Sequence, residues 1–292
     1  MGSFTGTAQQ RRAVHPAERT DAAEQPPSVV RRRCERFLPV LRRFPTMVEE
    51  QNRRDRVADE TADRTRRAAV RDTYDRIATH FAATREYAWP EVEAFVDAHA
   101  GTAGRSSSAT GHDGPAVGLD LGCGNCRHAQ LLAEGGLERV VGVDVSRGLL
   151  ETGRERAADR EFAVALLQGD AATLPLADDS VAVAVYVATL HHLPTRRARR
   201  ASLDELARVL APGGRALVSA WSTAHDRFER TEGFDTTVEW TLPGGEPVDR
   251  FYHIYAPDEF ETDIRESDLA LREWELSSGN CYATVAGPQS DG

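Results

Sequence analysis

The sequence predicts an α/β fold: a doubly wound, mostly parallel seven-stranded sheet with an antiparallel last strand and helices on both faces. Three observations carry this expectation. Between residues 117 and 286 short apolar runs alternate with amphipathic segments, the pattern of strand-helix-strand units. The first run stops at Gly122-Cys123-Gly124, as a buried parallel strand entering a tight turn does. The last two runs are joined by Ser277-Ser278-Gly279-Asn280, a hairpin turn that sets one strand antiparallel.

Taken in order, Thr65 to His99 carries Ala69, Tyr74, Ile77 and Phe81, then Val92, Phe95 and Val96, at helical spacing, and Pro90 divides the segment into two helices. Residues 101–114 read as a Gly/Ser linker. Strands are expected over 117–121, 139–143, 164–168, 181–187, 215–221 (after Pro212-Gly213-Gly214), 269–276 and 281–285. Helices are expected near 126–135, 148–158, 196–210 and 257–266. Between Trp221 and Tyr255 the periodicity lapses into a polar, aromatic stretch.

The 292 residues, 40% hydrophobic and 28% charged, suffice for one sizeable core and exclude a disordered chain or a disulfide miniprotein. All 36 basic residues are arginine, against 46 acids, a net charge of -10. Such a surface suits a salt-rich cytoplasm; arginine-biased codon usage is the alternative. Residues 1–46 differ, with 9 Arg against 4 acids and Pro-rich stretches, and read as a basic disordered leader, either a real extension or a translated region upstream of Met47. Four cysteines and no secretory or membrane-spanning apolar run point to a reduced, cytoplasmic setting. Cys123-x-x-Cys126 has no second pair to complete a zinc site, and no metal is expected.

Chemistry is concentrated at the strand ends. Gly122 and Gly124 let a ligand approach the backbone, but Arg127 stands where a pyrophosphate fingerprint needs its third glycine. Asp120, at the end of the first strand, would repel a phosphate and welcome an ammonium. Asp144 lies 22 residues beyond Gly122, where such folds bind ribose hydroxyls. Asp170 can accept from an adenine amine while the Ala171 amide donates to a ring nitrogen. Any one of these acids alone reads as a cap or loop acid; three at consecutive strand ends read as a binding crevice.

With these residues in place, the segment from 117 to 286 resembles the S-adenosylmethionine-dependent methyltransferases of the Rossmann-like kind. The motifs are Asp120-Leu121-Gly122-Cys123-Gly124, the acidic second strand, Gly169-Asp170-Ala171, and Pro212-Gly213-Gly214. A narrower resemblance, over 73–286, is to the tRNA wobble-uridine carboxymethyl methyltransferases. It rests on Tyr74-Asp75-Arg76-Ile77-Ala78-Thr79-His80-Phe81, Thr84-Arg85, Trp89-Pro90, Leu190-His191-His192, Ala220-Trp221 and Arg250-Phe251-Tyr252-His253-Ile254-Tyr255. Cys126 departs from the third glycine of many members, and the long insert some relatives carry before Arg250 is absent. The resemblance implies S-adenosyl-L-methionine as cofactor, bound by Tyr74, Asp120, Gly122, Gly124, Asp144, Asp170, Ala171 and Val187. It also implies the tRNA anticodon loop as substrate and a small zinc-ribbon activator protein as partner. Helices 47–100 would cover the cofactor site, 115–287 would form the methyltransferase domain, and 222–256 would be an insertion on its substrate side.

Esterifying a carboxylate asks little of the protein. The group is ionised at neutral pH, so it needs desolvation and in-line placement and no base. Arg85 or Arg250 can orient it, Tyr252 or Tyr255 sharing the role, and His191 stands at the mouth to contact the base or, for a hydroxyl acceptor, to take a proton. Adjacent histidines usually face opposite ways, so at most one of His191 and His192 is expected in the site. Arg196, Arg197, Arg199 and Arg200 read either as a solvated helix start or as a phosphate contact. Two other readings stand beside the tRNA enzyme: a methyltransferase for a quinone or lipid precursor, and a non-catalytic cofactor-binding regulatory subunit. An arginine-lined mouth would favour tRNA, and a closed apolar pocket the small molecule.

Overall fold

The computed structural model describes residues 47–106 and 116–288. By compactness the chain divides after Gln51, and the larger unit, which holds the sheet, runs from Asn52 onward. The expected leader over residues 1–46 and the linker residues 107–114 lie outside the described residues.

Two helices lead. Helix α1 (Met47–Ala83) is polar for much of its length and then turns one face, Tyr74, Ile77, Ala78 and Phe81, onto Leu149 and Val248. Helix α2 (Pro90–Ser106) starts with proline at its first position, where the missing N–H costs nothing, and buries Val92, Phe95, Val96 and Ala100. It runs through Gly101 to Ser106, where a linker was expected; once the buried face holds the helix, Gly101 and Gly104 cost only about 1 kcal/mol each.

The core then alternates β1 (Val117–Leu121), α3 (Arg127–Glu134), β2 (Arg139–Asp144), α4 (Arg147–Asp159), β3 (Ala165–Gln168) and β4 (Val181–Tyr186). A 3-10 turn (Leu190–His192), α5 (Arg196–Val209) and β5 (Leu210–Trp221) come next. After the hairpin β6 (Phe234–Thr241) and β7 (Pro247–Ile254) come α6 (Pro257–Arg265), β8 (Ala270–Ser277) and β9 (Asn280–Ala286). The main sheet has the order β3-β2-β1-β4-β5-β9-β8, parallel through β5, with β9 antiparallel to both neighbours. Its order reverses between β1 and β4, which opens a crevice at the carboxyl ends of those strands.

Two differences from expectation have local causes. Strand β5 begins at Leu210, with Pro212-Gly213-Gly214 inside it; the register against β4 shifts between Val181 and Val183, and that irregularity accommodates the proline. The stretch 222–256 holds an antiparallel two-stranded sheet, β6 against β7. One apolar layer packs Leu119 and Leu121 with Leu203, Leu206, Phe260 and Ile264 of α5 and α6. The opposite layer joins Val140, Val183 and Val185 to Phe95 and Leu132 of α2 and α3.

Candidate functional site

The crevice is a cavity of about 430 Å³, within the usual range for small-molecule sites. Its floor is the turn after β1. The Gly122 and Cys123 amides both donate to the Val143 carbonyl, at 2.7 and 3.1 Å, folding the turn over the end of β2. Gly122 has φ +73°, and a Cβ there would meet Thr189 Oγ1 at 2.1 Å, so only glycine fits. Gly124 also has positive φ, with no protein atom within 4 Å of where a Cβ would stand: its backbone is open to the cavity.

Cys126 holds a left-handed conformation with φ 62° and caps α3 with no side-chain hydrogen bond. Its Sγ lies 2.5 Å from where a Cβ on Gly153 would stand, so the thiol is accommodated by a glycine of α4. The missing cap is supplied by Asp120, whose Oδ2 accepts from the Ala129 amide at 2.9 Å. Asp120 is 1% exposed and does not line the cavity; burial pushes its carboxyl up to about 7. The expected ammonium contact is therefore not what the side chain makes, because the carboxyl points beneath the turn to the Ala129 amide in the first turn of α3.

The other expected cofactor and acceptor residues line the cavity: Tyr74, Arg85, Gly122, Gly124, Asp144, Asp170, Ala171, Val187, His191, Arg250 and Tyr252. Tyr255, the alternative to Tyr252, does not; it is fully buried against Phe260 in the core. Asp144 accepts from the Gly124 amide at 2.9 Å and the Ser146 amide at 2.8 Å; burial raises its carboxyl to about 6. Asp170 accepts from the Ala172 amide and pairs with Arg67 of α1, so its charge is already matched within the protein.

The first helix is docked by its motif. Asp75 accepts from the Ser146 hydroxyl at 2.7 Å and the Gly148 amide at 2.9 Å, Ala78 meets Gly148, and Asn125 donates to the carbonyls of Ala82 and Arg85. Tyr74 reaches His192 Nε2 at 2.9 Å, while His192 Nδ1 lies 2.9 Å from the Phe251 carbonyl. A carbonyl only accepts, so Nδ1 carries the proton and Nε2 accepts from Tyr74. Burial lowers His192 to about 3. Both histidines line the cavity, against the expectation of at most one: successive residues of a 3-10 turn stand about 120° apart, not opposite.

Arginines set the electrostatics of the wall. Arg250, 6% exposed, donates to the Tyr252 hydroxyl at 2.7 Å and lies over Trp240 and Phe81, while its buried Nε has no partner. Arg85 lies over Phe81 at 4.4 Å, Arg127 over Trp89 and Arg227 over Trp221. Burial lowers Arg85, and burial first and then Arg85 itself lower Arg127 to about 10. Among the described residues, none of these four forms an ion pair with a carboxylate; of the cavity's arginines, Arg67 alone does. The run Arg196, Arg197, Arg199 and Arg200 is spent on Asp263, Asp63, Glu259 and Glu266, and does not line the cavity.

Sequence reasoning gave no site role to Arg67, Arg127, Arg227 or Trp240. Arg67 sits on a polar helix face with nothing to distinguish it, whereas Trp240 was signalled by the alternation Phe234, Thr236, Val238, Trp240. No group of three metal-binding side chains occurs among the described residues. Cys123, Cys126 and Cys281 are free and buried; its hydrogen bond to Cys126, together with burial, holds the Cys123 thiol well above its usual range, away from nucleophilic or redox use.

Residues 119–218 match the family model described as a methyltransferase domain. The chain is 32% identical to a tRNA (carboxymethyluridine(34)-5-O)-methyltransferase of Arabidopsis thaliana over 54% of its own length and 33% of that protein's. It is 30% identical to a putative methyltransferase of Encephalitozoon cuniculi, over 62% of this chain and 78% of the relative. A protein from Pyrococcus horikoshii OT3 shares the fold, at TM-score 0.51 and 17% identity, over 64% of this chain and 89% of that one. The match thus spans only a third of the Arabidopsis protein but most of the Encephalitozoon one.

Proposed function

The chain belongs to the S-adenosylmethionine-dependent methyltransferases, and on that premise we propose that its acceptor is the 5-carboxymethyl group of the wobble uridine of tRNA, converted to a methyl ester. The observation that carries this reading is Arg250: a guanidinium 6% exposed, without an acidic partner, at the wall of the cavity. A buried cation left unpaired is costly, and the cost is recovered when an anion arrives.

The residues fit the cofactor. Asp144 lines the cavity as an acceptor for ribose hydroxyls, and the open backbone at Gly124 admits a ligand at van der Waals distance. S-adenosylmethionine supplies, when bound, a methyl group made electrophilic by its sulfonium. The chain's own side chains do the rest. Arg250 and Arg85 hold the acceptor carboxylate, Tyr252 donates its hydroxyl proton while accepting from Arg250, and Phe81 and Trp240 exclude water beneath the two guanidiniums. The carboxylate arrives ionised, so its orientation is the main demand on the protein.

For RNA the mouth matters more than the net charge. Although the chain carries -10, Arg85, Arg127, Arg227 and Arg250 stand at the cavity without acidic partners, each over an aromatic ring, a combination that suits a phosphate beside an unstacked base. The likeness to the Arabidopsis protein supports the same acceptor, and a zinc-ribbon activator would be the partner by resemblance. The net charge favours a second reading, methylation of a small carboxylic acid. Mass spectrometry of nucleosides from tRNA of cells with and without the gene separates them. Loss of the wobble methyl ester with accumulation of its free acid is the expected result, and an unchanged profile leaves the small acid.

A further inference from the structure

The Trp221 amide donates to His191 Nδ1 at 2.9 Å. An amide N–H can only donate, so Nδ1 must be the lone-pair nitrogen, and the proton of the neutral ring sits on Nε2. The ring is 3% exposed, lines the cavity and stacks at 5.0 Å on Tyr252, the residue that Arg250 holds. Among the described residues Nε2 has no hydrogen-bond partner, so this N–H is left for whatever occupies the cavity.

We propose that His191 is a fixed hydrogen-bond donor to the acceptor's carboxylate and not a general base, so that the enzyme is confined to acceptors that arrive already ionised. This rests on the carboxylate reading above for the identity of the acceptor, but not for the state of the ring. To serve as a base, His191 would have to take a proton at Nδ1, where the Trp221 amide already points its own hydrogen. The titratable and charged groups facing the ring are His192 beside it and Arg250, Tyr252 and His253 on β7; none is a carboxylate that would stabilise an imidazolium. Burial and these neighbours hold His191 well below its ordinary range. With a carboxylate acceptor, one oxygen bonds the methyl carbon, the carbon-sulfur electron pair leaves with sulfur, and no proton moves. A hydroxyl acceptor would have to lose a proton, and the wall of His191, Arg250 and Tyr252 presents donors with no acceptor to receive it.

The test reads the ring directly. In the full-length protein with 15N-labelled histidine, the His191 signals, assigned by their loss in His191→Gln, should show Nδ1 unprotonated and Nε2 protonated, unchanged between about pH 5.5 and 8.5. A protonated Nδ1, or an imidazolium forming in that window, overturns the proposal. Turnover gives a second readout. Glutamine restores an N–H at the Nε2 position but cannot act as a base, so His191→Gln should keep kcat within about fivefold, whereas His191→Phe, which keeps the ring stack and loses the donor, should lose about 100-fold. A collapse of His191→Gln to the level of His191→Phe, with an ascending pH limb in the wild type, would show a base. If tRNA proves not to be the acceptor while the nitrogen signals stand as expected, the acceptor reading falls and the donor assignment holds.

Discussion

Tyr74 donates its hydroxyl to Nε2 of His192 across 2.9 Å, joining the first helix to the turn after β4, and the same histidine passes the connection on to the Phe251 carbonyl of β7. Three segments far apart in sequence are thereby tied around one neutral imidazole. His192 spends both nitrogens on this link, while His191, one residue earlier, keeps one nitrogen for the cavity.

Removing the phenol oxygen tests the link. Tyr74→Phe leaves a buried acceptor unsatisfied and should lower stability by about 1–2 kcal/mol, read from urea unfolding at pH 7.5. A variant as stable as the wild type would mean the contact contributes nothing.

Asp75 anchors the same helix to the start of α4 through the Ser146 hydroxyl and the Gly148 amide. Asp75→Ala should leave the sheet folded while raising hydrogen exchange in α1 and weakening cofactor binding about tenfold by calorimetry, the loss of about 1.4 kcal/mol. Unchanged exchange in α1 would contradict this anchoring.

For Arg250 stability and activity should move apart. Arg250→Met removes a buried, unpaired charge and should hold or raise the melting temperature. Turnover should fall by about 100-fold or more as the carboxylate loses its partner, and Arg250→Lys should not restore it, since an ammonium cannot make the planar two-donor contact. A destabilised but active Arg250→Met would refute both halves.

Asp144 makes cofactor binding depend on pH. Its carboxyl stands at about 6 in the folded protein, so affinity should rise from pH 5 to 7.5 as it ionises and then level off, and Asp144→Asn should bind weakly with no such rise. Calorimetry at the two ends decides it, and equal affinities in the wild type would exclude Asp144 as the hydroxyl acceptor.

Asp120 and Asp144 also set a slope in stability. Both are raised above the ordinary 3.8, to about 7 and about 6, so the folded chain holds these protons longer than the unfolded one. Their contribution is fully present below pH of about 4 and is lost as pH rises through about 7. The melting temperature of the cofactor-free protein should therefore fall between pH 5 and 8 by more than that of Asp120→Asn. An identical slope in the two would place the shift elsewhere.

Much of this was legible in the linear chain. The strands of the main sheet announce themselves as apolar runs, and the turn at Gly122 and Gly124 as a glycine cluster, because both are short-range consequences of residue type. The β6–β7 hairpin was harder to see: Thr236 sits between Phe234, Val238 and Trp240, each only half-buried, and the two-residue period is correspondingly faint. Helix α2 outran its expected end because the glycine at 101 is a weak stop when the preceding turns are already packed.

The sequence by itself determined the fold class, the turn that receives the ligand, and the carboxylates at the ends of β1, β2 and β3, since periodicity and glycine placement act over a few residues. Only the tertiary structure decided what those groups face. Asp120 is turned beneath the loop to cap α3, Arg67 neutralises Asp170, and Arg85 and Arg250 meet over Phe81 and Trp240 from opposite ends of the chain. It alone determined the tautomers of His191 and His192, because a ring proton goes to whichever nitrogen lacks a donor pointing at it, and the Trp221 amide, the Phe251 carbonyl and the Tyr74 hydroxyl come together only when the sheet has closed.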